Sequence, residues 1–569
     1  MTNFREIKGI GTFFAPQATY DTSRSSPPYL KIFWVGLLAM MLLRSFYFGL
    51  TYFYFLDDYN TYGVFYRRNA DIWNDIILYY PHFSWRPFAT FSDAYITQWF
   101  WPNMWLVLLF YTLMHFATVV VFKQVMRMSG LAFGLFGIVI VALTPVLAEA
   151  VYWIGASTRL VPGMFFSVLG VYFLLKHLAK QDNGDTGRRY LLAYVVTNLL
   201  GMGFYEQIMV FNLVFTLVIA LVNHQHIYRH RTLILLTPVV NTLVMIAYYI
   251  IMAPFGRVGA RANMVGLTEL PNHVVQTSLR IFRLLVVHNY EISLNGILHG
   301  VDIMASLWGA IVLIAVAGFA LYVATTPVQQ RSFWSNSDQQ YLLRLVIGVV
   351  LALAPFGPFY ILEPQWLPLR VMFASIFGIG MVLDTLLSMV GELPYLKRLE
   401  KIVPALCLVP FFVIFVTEVH NYKLLSQSDS VIIHNFLDTF ETTGYSSDER
   451  VILFNTRLVV VPVSGGGSPH RLENVTSSDW AMQGMANAVS EQFRFTNIQP
   501  VRNYFSLPEA WLGESVLLGI DYDLNVHHLS LRGAHLYMHD TGELFGTLTP
   551  SLYETEDARL QFLRATTLD

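Results

Sequence analysis

The sequence predicts a polytopic α-helical membrane protein with a small α/β domain at its C-terminal end. Three observations predict it. Apolar stretches of roughly 20 residues, the length a helix needs to cross a bilayer, recur through residues 1–419. Only 13% of residues are charged while 55% are hydrophobic, against a charged share of about a quarter in soluble domains. Charge is also partitioned along the chain. Residues 420–569 hold 9 Lys+Arg and 18 Asp+Glu, whereas residues 1–419 hold 27 and 20. A membrane module and an acidic soluble tail therefore meet different solvents.

The N-terminal segment, residues 1–31, is polar and lacks a short apolar core with a cleavage site, so the first apolar run reads as a retained span rather than a signal peptide. About eleven spans are expected, at roughly 32–56, 103–122, 131–148, 160–176, 190–205, 208–222, 232–253, 303–325, 343–362, 367–390 and 402–418. The pair 190–222 is interrupted by Gly201, Gly203, Tyr205, Glu206 and Gln207. Domain organisation follows: segment 1–31, a transmembrane module over 32–419 with a first outer loop at 57–101, and a soluble domain over 420–569. The single cysteine, Cys407, excludes an intrachain disulfide framework and CxxC chemistry. Nothing in the charge pattern points to nucleic acid; the partner common to every reading is the bilayer.

Lysine and arginine set the orientation. Seventeen basic residues, including all seven lysines of the module, fall on one face of the predicted topology, which is thereby cytoplasmic. The opposite face carries Arg67, Arg68, Arg86, Arg159, Arg257, Arg261, Arg280, Arg283 and Arg370 and no module lysine. Guanidinium binds phosphate and carboxylate in a bidentate fork that ammonium cannot match. An outward cavity for a phosphorylated or otherwise anionic ligand is one account; snorkelling and ion pairs at helix ends are the other. An odd number of spans places the soluble domain outside the cytoplasm as well.

Asp57 and Asp58 close the first apolar run and open the outer loop. Three readings stay open. They form a solvated helix end, although acids at a helix C-terminus oppose the dipole. One is a general base for an acceptor hydroxyl. Or the pair holds a divalent cation against a phosphate. Two interfacial segments follow in the loop, an amphipathic one through Phe65–Tyr80 and an aromatic-rich one from Phe91 to Phe100. The next outer turn, Pro145 to Leu160, holds Glu149 and Arg159 ten residues apart, facing one cavity or paired with each other. Glu206 lies where the pair of spans five and six turns outward, and an acid at a membrane face is costly and often functional. The long loop 254–302 carries Arg257, Arg261, Arg280, Arg283, His288 and Glu291, with a membrane-surface helix around Leu279–Val287. Arg370 opens span ten. His224, His226 and His230 lie beside Arg229 and Arg231 and read as a solvated loop.

The acids after span one, two interfacial segments and a Pro…Glu-Ala-Val…Trp-Ile-Gly-Ala…Arg-Leu turn resemble the GT-C superfamily of polyprenyl-phosphate-sugar-dependent membrane glycosyltransferases. The turn is similar to that of protein O-mannosyltransferases, with the arginine delayed to position 159 by Ala156-Ser157-Thr158. The resemblance covers roughly residues 32–260. It implies a sugar moved from a polyprenyl-phosphate donor to a glycan, lipid or protein hydroxyl on the extracytoplasmic face of a bacterial plasma membrane. It implies Asp57 or Asp58 as base, Arg159, Arg370, Arg257 and Arg261 at the donor phosphate, and Glu149, Glu206 and His288 around the substrate. The rival expectation is a transporter or flippase of a lipid-linked saccharide, which would place ionisable groups near the bilayer midplane and show internal repeats. Arg44 and Asp384 are the few charges inside spans, and no two halves match.

In the tail, Val419–Phe440 continues the last span as a polar helix. Arg450–Asn455, Leu458–Val463, Glu514–Ile520, Val526–Leu531 and Ala534–Met538 read as strands, and Trp480–Phe493 as a helix. Gly465-Gly466-Gly467 lacks the ending of a phosphate loop. His527 and His528 point to opposite faces of a strand and make a poor metal pair. Asn474-Val475-Thr476 matches a glycosylation sequon.

Overall fold

The computed structural model describes residues 28–67, 86–182, 184, 186–223, 231–252, 264–325, 338–362, 367–393, 395–454, 474–501, 506–521, 523–550 and 559–564. The membrane module consists of α1 (Pro28–Ser45), α2 (Pro87–Tyr95), α3 (Met104–Met128), α4 (Leu135–Leu143), α5 (Ile154–Asp182), α6 (Arg188–Met202), α7 (Glu206–Val222), α8 (Arg231–Met252), α9 (Leu270–Phe282), α10 (Asn289–Met304), α11 (Leu307–Thr325), α12 (Asp338–Leu353), α13 (Met372–Gly391) and the start of α14 (Leu399–Thr443). Among the described residues, six helical stretches are long and apolar enough to cross a membrane: Thr97–Met128, Ile154–Gln181, Leu307–Thr325, Gln339–Tyr360, Leu369–Gly391 and Leu399–Thr443. Shorter apolar helices, including Glu206–Val222, accompany them. The chain is an integral membrane protein.

The apolar run 32–56 is not one helix. α1 stops at Ser45, Gly49 takes φ 105°, and Thr51–Phe55 has no regular secondary structure. Glycine reaches that φ without penalty, and the run of aromatics beyond Ser45 is a weaker helix former than the Leu- and Met-rich stretch before it. Arg44, 1% exposed, donates to the carbonyls of Ala142 and Leu143 at 2.9 Å each. Those are end carbonyls of α4, which have no partner within their own helix.

Polar residues inside the bundle are tied in pairs and clusters. Arg344 of α12 meets Asp384 of α13 at 3.0 Å, and the same carboxylate accepts the Gly134 N–H at 2.8 Å. Asn198, Asn212, Thr216 and Asn241 join α6, α7 and α8 through buried hydrogen bonds, including Asn198 to Asn212 and Asn241 to Asn198 at 2.8 Å each. Amides of this kind link helices that have no hydrophobic drive to associate in lipid.

α14 runs 45 residues and ends at Gly444, whose φ is 70°, the left-handed cap that favours glycine. At 1.5 Å per residue it is roughly 68 Å long, so it carries the membrane core directly into the C-terminal domain. That domain holds α15 (Asp479–Val489) and strands β1 (Arg450–Phe454), β2 (Ile498–Val501), β3 (Ser506–Pro508), β4 (Ser515–Ile520), β5 (Val526–Arg532), β6 (His535–Met538), β7 (Leu544–Pro550) and β8 (Arg559–Arg564). The sheet order is β2-β1-β4-β5-β6-β7-β8-β3. β1 pairs parallel with β2 and β4, and the remaining pairs are antiparallel. Val451 and Leu453 join the core shared with α14 and the membrane helices, while Ile452 and Phe454 join a second core on the other face. That split is the period-2 alternation of a strand.

The expected helix and the strands near 450, 514, 526 and 534 are present; β2, β3, β7 and β8 are additional. Leu458–Val463 and Gly465–Gly467 lie outside the described residues. Asn474 and Thr476 of the sequon are 0% and 1% exposed, so the sequon is closed to a modifying enzyme.

Candidate functional site

The acid pair is placed by a strained turn. Leu56, fully buried, has φ 36°, a left-handed conformation that costs a non-glycine residue about 1–3 kcal/mol. Helical geometry then begins at Asp57 and continues through Tyr59–Gly63 to Arg67. The acids therefore open a helical segment instead of closing one, and the dipole objection to them disappears, because carboxylates are stabilised at a helix N-terminus.

The two acids differ in what surrounds them. Asp58 is fully buried. It accepts hydrogen bonds from the Tyr52 hydroxyl at 2.6 Å, the Phe55 N–H at 2.9 Å and the Gly155 N–H at 2.9 Å. Burial pushes its carboxyl up to about 7 against the pull of those donors. Asp57 is partly exposed. It sits against the first turn of α5: a Cβ at Gly155 would lie 3.3 Å from the Asp57 Cβ. Asp57 is also within electrostatic range of Arg370.

The Trp153–Arg159 turn is read almost residue by residue by the acid loop. Phe55 packs edge-on against Trp153 with centroids 5.2 Å apart. The Ile154 N–H donates to the Tyr52 hydroxyl at 2.9 Å, and Gly155 donates to Asp58. Thr158 Oγ1 and the Tyr62 hydroxyl are 3.2 Å apart, and Tyr62 donates to Asp93 at 2.9 Å. Arg159 lies 3.8 Å from Asp93. Burial raises the Asp93 carboxyl, with Arg159 and Tyr62 opposing the shift.

Glu149 and Arg159, expected to share a cavity or a pair, have separate partners. Glu149 receives both the backbone N–H of Arg370, at 3.2 Å, and its guanidinium. The Arg370 guanidinium also lies over the Trp153 ring, 5.1 Å from its centroid. Arg86 and Glu206 pair at 3.1 Å, with the guanidinium 4.1 Å from the Tyr205 ring centroid. In the two pairs around Trp153–Arg159 the acid is the more buried member. Side-chain exposure is 7% for Asp93 against 16% for Arg159, and 1% for Glu149 against 18% for Arg370. Each guanidinium is anchored from below and keeps an accessible edge.

No family model and no curated protein matches the chain. Among solved structures, the chain is similar to the crystal structure of ArnT from Cupriavidus metallidurans bound to undecaprenyl phosphate. That match has 13% identity and a TM-score of 0.35, and covers 95% of this chain and 99% of the other. The apo crystal structure of the same protein matches at 12% identity and a TM-score of 0.32, over 83% and 89% of the two chains.

The C-terminal domain reaches the acid loop directly. A Cβ at Gly484 of α15 would lie 2.8 Å from Asn60 Cβ and 3.1 Å from its backbone nitrogen, and one at Gly63 would lie 2.6 Å from Ala488 Cβ. Arg67 donates to the Ala488 carbonyl at 2.9 Å and to Glu491 at 2.8 Å. The Tyr59 side chain lies beside Ser426 and Asp429 of α14.

Of the residues expected at the site, Asp57, Asp58 and Arg370 come together around Trp153–Gly155, and Glu149 joins them through Arg370. Arg159 joins the same turn through Asp93 and Tyr62, and Glu206 holds Arg86. His288, on the segment between α9 and α10, pairs with Glu291 in the first turn of α10 at 3.0 Å. Arg257 and Arg261 lie outside the described residues. Among the described residues no group of three or more His, Cys, Asp or Glu side chains is clustered for a metal ion. Asp93, Tyr52 and Tyr62 are site residues that the sequence reading passed over. The one signal for Asp93 was a lone acid inside the aromatic stretch Phe91–Phe100.

Proposed function

We propose that this protein is a membrane glycosyltransferase of the GT-C kind, moving a sugar from a polyprenyl-phosphate donor to an acceptor hydroxyl at the extracytoplasmic face. One observation carries the proposal. Asp57 is the accessible acid of the pair, within electrostatic range of Arg370, while three described acids beside it are committed: Asp58 to three donors, Glu149 to Arg370, and Asp93 to Arg159 and Tyr62. The motif resemblance in the sequence and the arginine-only outer face support the same reading.

In this mechanism Asp57 takes the proton of the acceptor hydroxyl, as a general base positioned by the α5 N-terminus. The acceptor oxygen forms its bond to the anomeric carbon as the bond from that carbon to the phosphate oxygen breaks. The electron pair leaves with the polyprenyl phosphate. Arg370 and Arg159 stabilise the charge gained by that leaving group, since their geometry is set in advance by Glu149 and Asp93. A single displacement inverts the anomeric centre.

The transporter reading loses its footing at Arg44 and Asp384. Arg44 spends both terminal nitrogens on α4 carbonyls and Asp384 is paired with Arg344, which argues against either as a carrier of ions or substrate. The deciding experiment supplies purified protein with synthetic polyprenyl-phosphate-linked sugars and measures release of polyprenyl phosphate and gain of sugar by an acceptor. Release that depends on Asp57 supports the enzyme. Movement of intact donor across vesicles without bond cleavage would replace it with the transporter.

A further inference from the structure

The last helix, the C-terminal domain and the acid loop meet at one buried carboxyl. Asp429 lies on α14 eleven residues beyond the apolar run 402–418, in the polar extension that carries the helix into the domain. It is 0% exposed. Its Oδ1 accepts the Val475 N–H at 2.9 Å, on the turn that leads into α15. Its Oδ2 is buried and has no hydrogen-bond partner, and Thr476 Oγ1, one residue on in the same turn, is buried without a partner as well. From the acid loop, Tyr59 lies beside Asp429 and is itself 4% exposed.

Among the described residues no Lys, Arg or His acts on this carboxyl. The acid loop presents Tyr59 to it, and the turn presents a backbone N–H and hydroxyls. On α14 itself, Lys423 lies over the Phe48 ring and His434 donates to the Ser430 carbonyl. At the two ends of α15, Asp479 is exposed and Glu491 pairs with Arg67. A buried carboxylate with no counter-charge and a bare oxygen is costly, and protonation removes the cost. Burial pushes this carboxyl up to about 8, with the Val475 N–H opposing the shift.

We propose that Asp429 is a positioning residue: in its protonated form it holds the turn before α15 and Tyr59 against α14, and its ionisation loosens that junction and the acid loop with it. Tyr59 is two residues from Asp57, and α15 packs on the same loop at Asn60 and Gly63, so the loosening reaches the loop from both sides. The effect on catalysis rests on the transferase reading; the junction itself does not.

Hydrogen exchange of the detergent-solubilised full chain, read by mass spectrometry on the peptides covering 474–478 and 56–63 and corrected for intrinsic rate, tests the junction. Exchange in the wild type is expected to rise about tenfold from pH 7 to pH 9, because a proton held only in the closed form is lost around pH 8. Asp429→Asn keeps an oxygen for the Val475 N–H and cannot ionise, so its exchange is expected to stay level. Asp58 is common to both proteins, and their difference therefore belongs to Asp429. In transfer assays kcat is expected to fall above pH 8 in the wild type and not in Asp429→Asn, with donor KM unchanged in both. Level exchange in the wild type, a measurement that needs no variant, overturns the inference, and so does an equal rise in Asp429→Asn. A kcat profile shared by the two proteins removes the positioning role and leaves the transferase standing. A wild type that transfers no sugar at any pH removes the transferase, and the exchange result then decides the junction alone.

Discussion

Gly155 donates its backbone N–H to Asp58 over 2.9 Å, and a Cβ at that position would lie 3.3 Å from both Asp58 Oδ1 and the Asp57 Cβ. The absence of a side chain at 155 lets the first turn of α5 close against the acid loop. Asp58 becomes the clamp between the two segments, and Asp57 the group presented by the clamp.

Asp57→Asn and Asp58→Asn therefore separate. Asp57→Asn is expected to leave folded protein in normal amount with sugar transfer reduced by about 10²–10⁴-fold, the usual loss on removing a general base. Asp58→Asn is expected to lower thermal stability as well, because an amide nitrogen replaces an acceptor facing donors. Thermal unfolding in detergent beside a transfer assay reads both. Full transfer by Asp57→Asn would move the base elsewhere.

Asp58 also predicts a pH dependence. Its carboxyl is raised from the ordinary carboxylate range to about 7 by burial. Between about 4 and 7 the folded state binds this proton and the unfolded chain does not, so this group's contribution to stability falls as pH rises through that window. The melting difference between wild type and Asp58→Asn is expected to be larger in favour of wild type at pH 5 than at pH 8. A difference that grows with pH would contradict the assignment.

Tyr52→Phe removes one donor to Asp58 and the acceptor of the Ile154 N–H without changing packing volume. At pH 8, where Asp58 is ionised, a hydrogen bond to a charged group is worth about 1.5–3 kcal/mol, and a loss of that order is expected in unfolding measurements. The effect should largely vanish in the Asp58→Asn background, because the two residues share one network.

Glu149→Gln tests the anchoring of Arg370. Removing one member of a buried ion pair costs about 3–5 kcal/mol, and here it also loosens the guanidinium assigned to the leaving phosphate. A lower melting point together with a lower kcat is expected, while Glu491→Gln, at the exposed Arg67 pair, is expected to change either quantity little.

Gly484→Leu tests whether α15 positions the acid loop. The added side chain meets the backbone of Asn60, so the loop must move, and a displacement of about 1 Å at a reacting group can cost 10²-fold in rate. The expected signature is a fall in kcat with donor KM nearly unchanged in a protein that still folds. Gly513→Ala, whose Cβ would meet nothing within 4 Å, is the matched control and should behave as wild type.

The sequence by itself determined the solvent of each part of this chain. Runs of apolar residues, scarce charge and the acidic tail follow from composition and spacing, and so do the membrane helices, the long polar extension of the last one, and the tail strands with clear alternation. It also singled out Asp57, Asp58, Glu149, Arg159 and Arg370, because acids and arginines at the ends of apolar runs are conspicuous. Only the tertiary structure decided who pairs with whom. Arg159 takes Asp93, and Glu149 takes Arg370 across 221 positions of chain. The first apolar run breaks at Ser45 because of contacts and a glycine turn that hydropathy does not register. Asp58 is separated from Asp57 by burial under Tyr52 and Gly155. Hydropathy and spacing are local properties and are legible along a line. Burial, ion pairing and the difference between two adjacent carboxylates arise from chain segments that meet only after folding.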